Sequence, residues 1–212
     1  MGALQMPVLN LDGFRRTSLV SLPFKHMLMH NFINPTHAAA ALNDFPTIEH
    51  AGLLPVGATT PGPTFEALIQ ELTSPEMTTA FSEKFNIDLT NRPTMVTLRG
   101  RAQEKDGRIH TDSEAKLVTA LLYFNEDWEA QGGRLRLLRS ATDLNDIITE
   151  VPPLLGTLVA FQRTDNSFHG HAPYVGVRRY VMINWMTNSL AAQSELVRHK
   201  LSAKAKKILN YA

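Results

Sequence analysis

The chain has 212 residues, 43% of them hydrophobic and 19% charged, so it can bury the core of one globular domain. It contains no cysteine, which excludes disulfides, iron–sulfur clusters, thiolate zinc sites and a cysteine nucleophile. The formal net charge is +1, and neither a long apolar run nor a signal-peptide pattern is visible. We therefore expect a cytoplasmic protein whose partners include neither nucleic acid nor a membrane.

The first 92 residues are predicted to form a helical annex with outer strands. After a loosely ordered start, residues 24–33 alternate in polarity as a strand does. Residues 50–63 hold three prolines and are predicted to be a loop. Helices are predicted over residues 34–45 and 74–85, where a capping residue is followed by a proline. A third helix is predicted over residues 64–72, whose apolar residues recur at helical spacing.

From Pro93 onward the apolar residues repeat with a period of two. Strands are predicted over eight short segments, 95–101, 108–112, 116–125, 133–139, 147–151, 156–163, 168–172 and 178–186. Strands with short turns between them predict a mainly β fold with flanking helices, built as an antiparallel barrel or jelly roll. The chain is thus predicted to be one domain, 1–212, with its β core at 93–187 and an amphipathic C-terminal helix in 188–212.

A possible metal site is indicated by the stretch Gly107-Arg108-Ile109-His110-Thr111-Asp112. In an extended backbone, side chains two residues apart point the same way, so His110 and Asp112 can reach one point. An imidazole nitrogen and a carboxylate oxygen suit a divalent metal such as Fe(II). A third ligand is available in the stretch Ser167-Phe168-His169-Gly170-His171, where either histidine could serve.

The sequence resembles the Fe(II)- and 2-oxoglutarate-dependent dioxygenases, and most closely their prolyl hydroxylase-like branch. His110-x-Asp112, His169 and Arg179 carry the resemblance, together with the segments Leu117–Trp128 and Gly132–Leu137. It covers about residues 94–186. The fold that it implies is a double-stranded β-helix, the jelly roll of cupin-like barrels.

The resemblance also implies a role for individual residues. His110, Asp112 and His169 would be the iron ligands, with His169 preferred over His171 because the family's later residues then fall at the expected offsets. The 2-oxoglutarate site would comprise Arg179 and Tyr123 as polar partners, with Thr119, Leu121 and Leu135 lining it. Side chains assigned to the substrate side, or to support of the ligands, are His171, Arg99 and Trp185.

Strand alternation makes a further prediction about two adjacent arginines. Arg179 shares a face with Val181, Ile183 and Trp185, whereas Arg178 takes the opposite face. The first face is the more apolar and is predicted to line the barrel interior. Arg179 is then the partner expected for the distal carboxylate of 2-oxoglutarate, so its replacement by alanine should weaken co-substrate binding while replacement of Arg178 should not.

The predicted activity is hydroxylation of an unactivated C–H bond, with release of succinate and carbon dioxide. Fe(II), 2-oxoglutarate and dioxygen are the implied cofactors and co-substrates, with ascorbate as an optional stimulant. The substrate is unknown; a prolyl or amino-acid-like group, or a small molecule, is expected to meet the loops 49–63 and 99–108. Two alternatives are a non-catalytic cupin-like protein that binds a metal or small ligand, and a halogenase, which Asp112 disfavours.

Overall fold

The computed structural model describes residues 6–190, 192–195 and 197, which include four α-helices and nine strands. The helices are α1 (Leu11–Arg16), α2 (Pro35–Asn43), α3 (Pro63–Leu72) and α4 (Pro75–Phe85). The strands are β1 (His26–Met29), β2 (Leu54–Pro55), β3 (Thr94–Ala102), β4 (Lys116–Tyr123), β5 (Leu135–Leu138), β6 (Ile147–Val151), β7 (Leu158–Gln162), β8 (Phe168–Gly170) and β9 (Gly176–Met186).

The strands form two antiparallel sheets. The larger has six strands in the order β1-β7-β4-β9-β3-β2, and the smaller has three in the order β6-β5-β8. Strand β9 lies between β3 and β4 and pairs with both along most of its length. Neighbours in the larger sheet are therefore distant in sequence, as they are in a jelly roll. This arrangement confirms the predicted mainly β, double-stranded β-helix fold.

Both faces of the six-stranded sheet are buried, but against different partners. One face packs on the helices, and its side chains include Val118, Ala120, Ile183 and Trp185. The other face looks toward the three-stranded sheet, where Leu121, Tyr123, Tyr180 and Met182 from the larger sheet meet Leu135 and Leu137 from the smaller one. The alternation of side chains along a strand thus separates a helix-packing layer from the interior between the sheets.

The N-terminal helical region is stabilised by a helix cap and by the contacts of one carboxylate. The Ser74 side chain accepts a hydrogen bond from the Met77 N–H and so caps α4, as the sequence predicts. The Glu71 carboxylate accepts hydrogen bonds from the N–H groups of Val8 and Leu9, each at 2.8 Å. This contact ties the chain before α1 to α3.

In the part of the chain that the structure describes, every helix is too short or too polar to span a lipid bilayer.

The structure differs from the predicted elements in several places, including the short strand β2 within the predicted loop 50–63. Helix α1 forms within a segment expected to be loosely ordered, because Asn10 caps it by accepting from the Gly13 N–H. Residues 108–112 make no regular strand and contribute one isolated bridge, between His110 and His169. The predicted C-terminal helix lies largely outside the described residues, although positions 189, 190, 192–195 and 197 are helical.

The aromatic contact between α4 and β9 should be a main support of the fold. Phe81 is fully buried, and its ring centroid lies 4.4 Å from that of Trp185 and 4.5 Å from that of Phe14. We expect Phe81→Ala to lower the free energy of unfolding by about 3–5 kcal/mol, through lost burial and the cavity that it leaves. Urea denaturation measures this. A loss below about 1 kcal/mol would contradict tight packing at this contact.

Candidate active site

A cavity of about 580 Å³ opens between the two sheets. It is lined by Thr119, Leu121 and Met182 from the larger sheet and by Leu135 and His169 from the smaller one. The residues from Lys105 to Ser113 form one part of its wall, and Leu53 contributes from the proline-rich loop. The three apolar or hydroxyl residues predicted to line the co-substrate pocket, Thr119, Leu121 and Leu135, all lie here.

Within the cavity, the structure brings together His110, Asp112 and His169. Their potential ligand atoms lie within 4.8 Å of one another. His110 and His169 are joined by two backbone hydrogen bonds, of 3.1 Å and 2.9 Å, and their rings are 4.3 Å apart. The bridge fixes one histidine against the other, and Asp112 follows two residues later in extended chain. His171 is not part of this cluster.

The hydrogen bonds of the two histidines select the nitrogen that faces the cluster. The Nδ1 of His110 lies 2.8 Å from the carbonyl oxygen of Arg108, and the Nδ1 of His169 lies 3.0 Å from that of Ser167. A carbonyl oxygen can only accept, so each Nδ1 carries the proton and each Nε2 keeps a lone pair. Burial lowers the pKa of His169 to about 4, which keeps the imidazole neutral. Each ring can therefore bind a metal ion through the lone pair of its Nε2.

The Asp112 carboxylate is held by two donors. Lys116 Nζ donates to Oδ1 at 2.7 Å, and Thr119 Oγ1 donates to Oδ2 at 2.5 Å. Asn184 in turn donates to Thr119 Oγ1 at 2.7 Å. Burial alone would raise the pKa of Asp112, but the Lys116 charge, the His169 ring and these hydrogen bonds bring the pKa below its ordinary value. The group is therefore an ionised, oriented carboxylate.

This donor set fits a divalent transition metal. Two neutral imidazole nitrogens and one carboxylate on one side of an ion leave its other positions open, which is the arrangement typical of non-haem iron oxygenases. A carboxylate offers about four lone-pair directions, so the bonds from Lys116 and Thr119 leave room for a metal. His110, Asp112 and His169 are thus the residues that would hold the ion.

The same cavity contains a buried guanidinium without an anionic partner. Arg178 is only 2% exposed, and none of the ion pairs among the described residues includes it. Its Nε donates to the Gly133 carbonyl at 2.7 Å, and its Nη2 donates to the Tyr123 hydroxyl at 3.3 Å. The guanidinium also lies over the Tyr180 ring, 5.0 Å from the centroid. Because an unpaired buried charge is costly, this geometry favours an anionic ligand beside Arg178.

Tyr123 does not line the cavity itself but lies against Arg178, which does. It is fully buried, and burial raises its pKa to about 12, so the hydroxyl stays protonated. Its oxygen accepts from Arg178, which leaves the O–H proton available to a ligand. Tyr123 shares its strand face with Leu121, as the alternation of β4 predicts.

The prediction that Arg179 points into the barrel is wrong. Arg178 lines the cavity, whereas Arg179 lies half-buried in grooves on the other side of the sheet, near Phe45 and Ile48. The prediction took the more apolar face of β9 as the interior. That face instead packs on the helices, because this sheet buries both of its faces, and the ligand cavity receives the face with more polar groups.

Trp185 is wrongly assigned for the same reason. It is fully buried on the helix side of β9, in contact with Phe81, and it does not reach the cavity. His171 and Arg99 do line the cavity. His171 is buried, with its Nδ1 2.8 Å from the Ala172 carbonyl oxygen, and burial lowers its pKa to about 4. Arg99 forms an ion pair with Asp106 and lies over the Tyr180 ring.

Several cavity residues were missed by the sequence analysis. Lys116, Asp106, Tyr180 and Asn184 all contact a residue of the cavity. One signal was available for Lys116, which begins a strand four residues after Asp112. No comparable signal marks Asp106, which meets Arg99 only because the loop after β3 folds back.

Comparison with known proteins agrees with the fold. Residues 99–187 match the 2OG-Fe(II) oxygenase superfamily. A prolyl-4-hydroxylase from Pseudomonas putida is 18% identical, with a TM-score of 0.54 over 83% of this chain and 90% of that one. A prolyl 4-hydroxylase from Phytophthora capsici is 21% identical, with a TM-score of 0.52 over 77% of this chain and 59% of that one. No curated protein sequence matches the chain significantly.

A viral enzyme extends this set. The collagen prolyl hydroxylase of Paramecium Bursaria Chlorella virus-1, solved with 2-oxoglutarate, is 14% identical, with a TM-score of 0.50 over 77% of this chain and 96% of that one. The jelly roll with its His-Asp-His cluster defines a non-haem iron oxygenase. More narrowly, residues 99–187 are similar to the 2OG-Fe(II) oxygenase superfamily, and the solved prolyl hydroxylases have the same fold. The family implies Fe(II), 2-oxoglutarate and dioxygen.

Proposed function

We propose that this protein is a hydroxylase that binds Fe(II) through His110, Asp112 and His169 and binds 2-oxoglutarate through Arg178 and Tyr123. The bound metal would supply oxidative decarboxylation of the co-substrate to succinate and carbon dioxide, coupled to hydroxylation of a substrate C–H bond. The observation that carries this proposal is the pairing, in one cavity, of the His-Asp-His cluster with a buried arginine that lacks an anion.

The protein's own share is to bind and orient. Arg178 presents parallel N–H groups that match a carboxylate in a two-bond fork, and the Tyr123 hydroxyl adds a donor beside it. Thr119 and Asn184 hold Asp112 in one orientation, while the carbonyl groups of Arg108 and Ser167 hold the two histidines. Leu121, Leu135 and Met182 give part of the cavity an apolar lining.

The substrate is proposed to be a prolyl or other amino-acid-like group, or a small molecule. Support comes from the structural similarity to enzymes described as prolyl hydroxylases, at identities that establish the fold alone. Residues 105–108 and Leu53 line the cavity, so each of the two loops expected to meet the substrate contributes to it.

The activity is tested by measuring succinate in the presence of Fe(II), 2-oxoglutarate, dioxygen and ascorbate. We expect slow succinate formation without substrate, and faster formation with any prolyl peptide or amino acid that gains one oxygen by mass spectrometry. A protein that binds the metal yet forms no succinate with any candidate would instead be a cupin-like binding protein. Omission of ascorbate in a parallel reaction shows whether it stimulates.

A further inference from the structure

The cavity holds more positive charge than the metal ion and 2-oxoglutarate proposed above can neutralise. Five basic residues line it, namely Arg99, Lys105, Arg108, Lys116 and Arg178. The cavity's two carboxylates, Asp106 and Asp112, are already engaged by Arg99 and Lys116. The remaining cations therefore face the cavity without a carboxylate from the described residues.

Of the five basic residues that line the cavity, Lys116 is the most informative. Its side chain is 8% exposed, and its one ion-pair partner among the described residues is Asp112, a member of the metal cluster. When a divalent ion also binds that carboxylate, Lys116 and the ion compete for one negative charge. A buried ammonium left in this position needs a second anion.

The charges of the proposed complex do not balance without such an anion. Divalent iron and the dianion of 2-oxoglutarate cancel each other, and Asp112 cancels one of the two buried cations, Lys116 and Arg178. One positive charge remains inside a cavity that is partly closed to water. Interactions between charges strengthen when water is excluded, so this excess favours a negatively charged occupant.

The mouth of the cavity has the same polarity. Lys105 and Arg108 are exposed side chains of the loop that precedes His110, and neither forms an ion pair within the described part of the chain. Cations at the entrance of a cleft attract anions and speed their arrival. The charge at the entrance and the charge at Lys116 thus favour the same kind of ligand.

We propose, resting on the function proposed above, that the primary substrate carries a carboxylate or phosphate group, which Lys105 and Arg108 attract and Lys116 binds next to the metal cluster. The acidic group fixes the substrate, and a neighbouring C–H bond is the one hydroxylated. A neutral substrate of the same shape binds weakly, because it leaves Lys116 without a second anion.

The test uses protein loaded with Mn(II) and saturating 2-oxoglutarate, without turnover. Two anionic probes are titrated, inorganic phosphate by phosphorus NMR and trifluoroacetate by fluorine NMR, with trifluoroacetamide as the neutral match. Bound Mn(II) broadens the signal of a probe that binds near it. We expect saturable broadening of at least one anion and none of the amide, and the tighter anion identifies the acidic group.

Three variants locate the anion site. Lys116→Met should weaken binding of that probe by roughly tenfold or more, the cost of losing a charge-assisted hydrogen bond. The double variant Lys105→Gln/Arg108→Gln should weaken it less, because these exposed cations attract the anion without binding it. Arg101→Gln is the matched control, because Arg101 is an exposed arginine of β3 that lines a different groove. Its affinity for the probe should equal that of the unaltered protein.

Several results would overturn the proposal. They are equal broadening by the amide, equal anion affinity in all variants, or a loss of 2-oxoglutarate affinity in Lys116→Met without loss of the probe. The last would assign the lysine to the co-substrate. Failure of the unaltered protein to bind Mn(II) or 2-oxoglutarate would reject the function proposed above, whereas binding of both without an anion rejects this inference alone.

Discussion

Asp112→Ala is expected to abolish succinate formation and to weaken metal binding. Loss of a residue that only supports a metal ligand typically lowers metal affinity by about 10- to 100-fold, and loss of Asp112 should lower it by more. The variant removes the one carboxylate of the cluster, and it leaves Lys116 buried without its partner. Mn(II) titration followed by electron paramagnetic resonance measures the affinity directly. Activity equal to that of the unaltered protein would contradict the assignment of Asp112 as a metal ligand.

Two further variants separate ligation from folding. Asp143→Ala changes an exposed aspartate distant from the cavity lining and should leave both metal affinity and activity unchanged. Thr119→Val keeps the Asp112 ligand but removes its hydrogen bond to Oδ2, so a smaller loss of metal affinity is expected. Circular dichroism of each protein checks that the β fold is retained. A graded order, with Asp112→Ala most severe, is the signature of ligation.

Arg178→Ala is expected to raise the 2-oxoglutarate concentration needed for turnover by roughly thirty- to several-thousand-fold, corresponding to about 2–5 kcal/mol for loss of a buried charge partner. Arg179→Ala is the adjacent matched control and should change it little, because its side chain lies on the opposite face of β9. Anaerobic titration of the Fe(II)-loaded proteins with 2-oxoglutarate measures the binding constants. The reverse result would mean that the Arg179 face of the strand binds the co-substrate.

Arg178→Lys sharpens the same experiment. Lysine keeps the positive charge but cannot form the two parallel bonds of a guanidinium fork. It also loses the stacking of Arg178 over Tyr180 and the bond from Nε to the Gly133 carbonyl. We therefore expect intermediate affinity for 2-oxoglutarate. Affinity equal to that of the unaltered protein would show that charge alone suffices at this position.

The prediction of which β9 face lines the cavity is independent of the prediction that His169 is a metal ligand. The strand-face prediction for Arg179 was wrong, yet the cluster contains His169, as the resemblance implies. Strand β8 ends at Gly170 and β9 begins at Gly176, and the intervening loop lets the two strands take their faces separately. An error of one residue in the face assigned to β9 therefore does not change which histidine, His169 or His171, lies in the cluster.

The sequence by itself determined the local features of this protein. Alternation after Pro93 predicted the strands, capping residues followed by proline predicted the starts of α2 and α4, and apolar residues at helical spacing predicted α3. The spacing of His110 and Asp112 placed two candidate ligands on one side of an extended chain. These features depend on residues close in sequence, and backbone geometry alone relates them.

Only the tertiary structure decided what each buried face meets. Both faces of β9 are buried, so hydrophobicity could not distinguish the face that packs on helices from the face that lines a cavity. Arg178 became a ligand candidate, and Trp185 a core residue, through the position of α4 on one side of the sheet. Lys116 acquired its importance in the same way, because its charge has meaning only beside Asp112 and within a cavity that two distant sheets enclose.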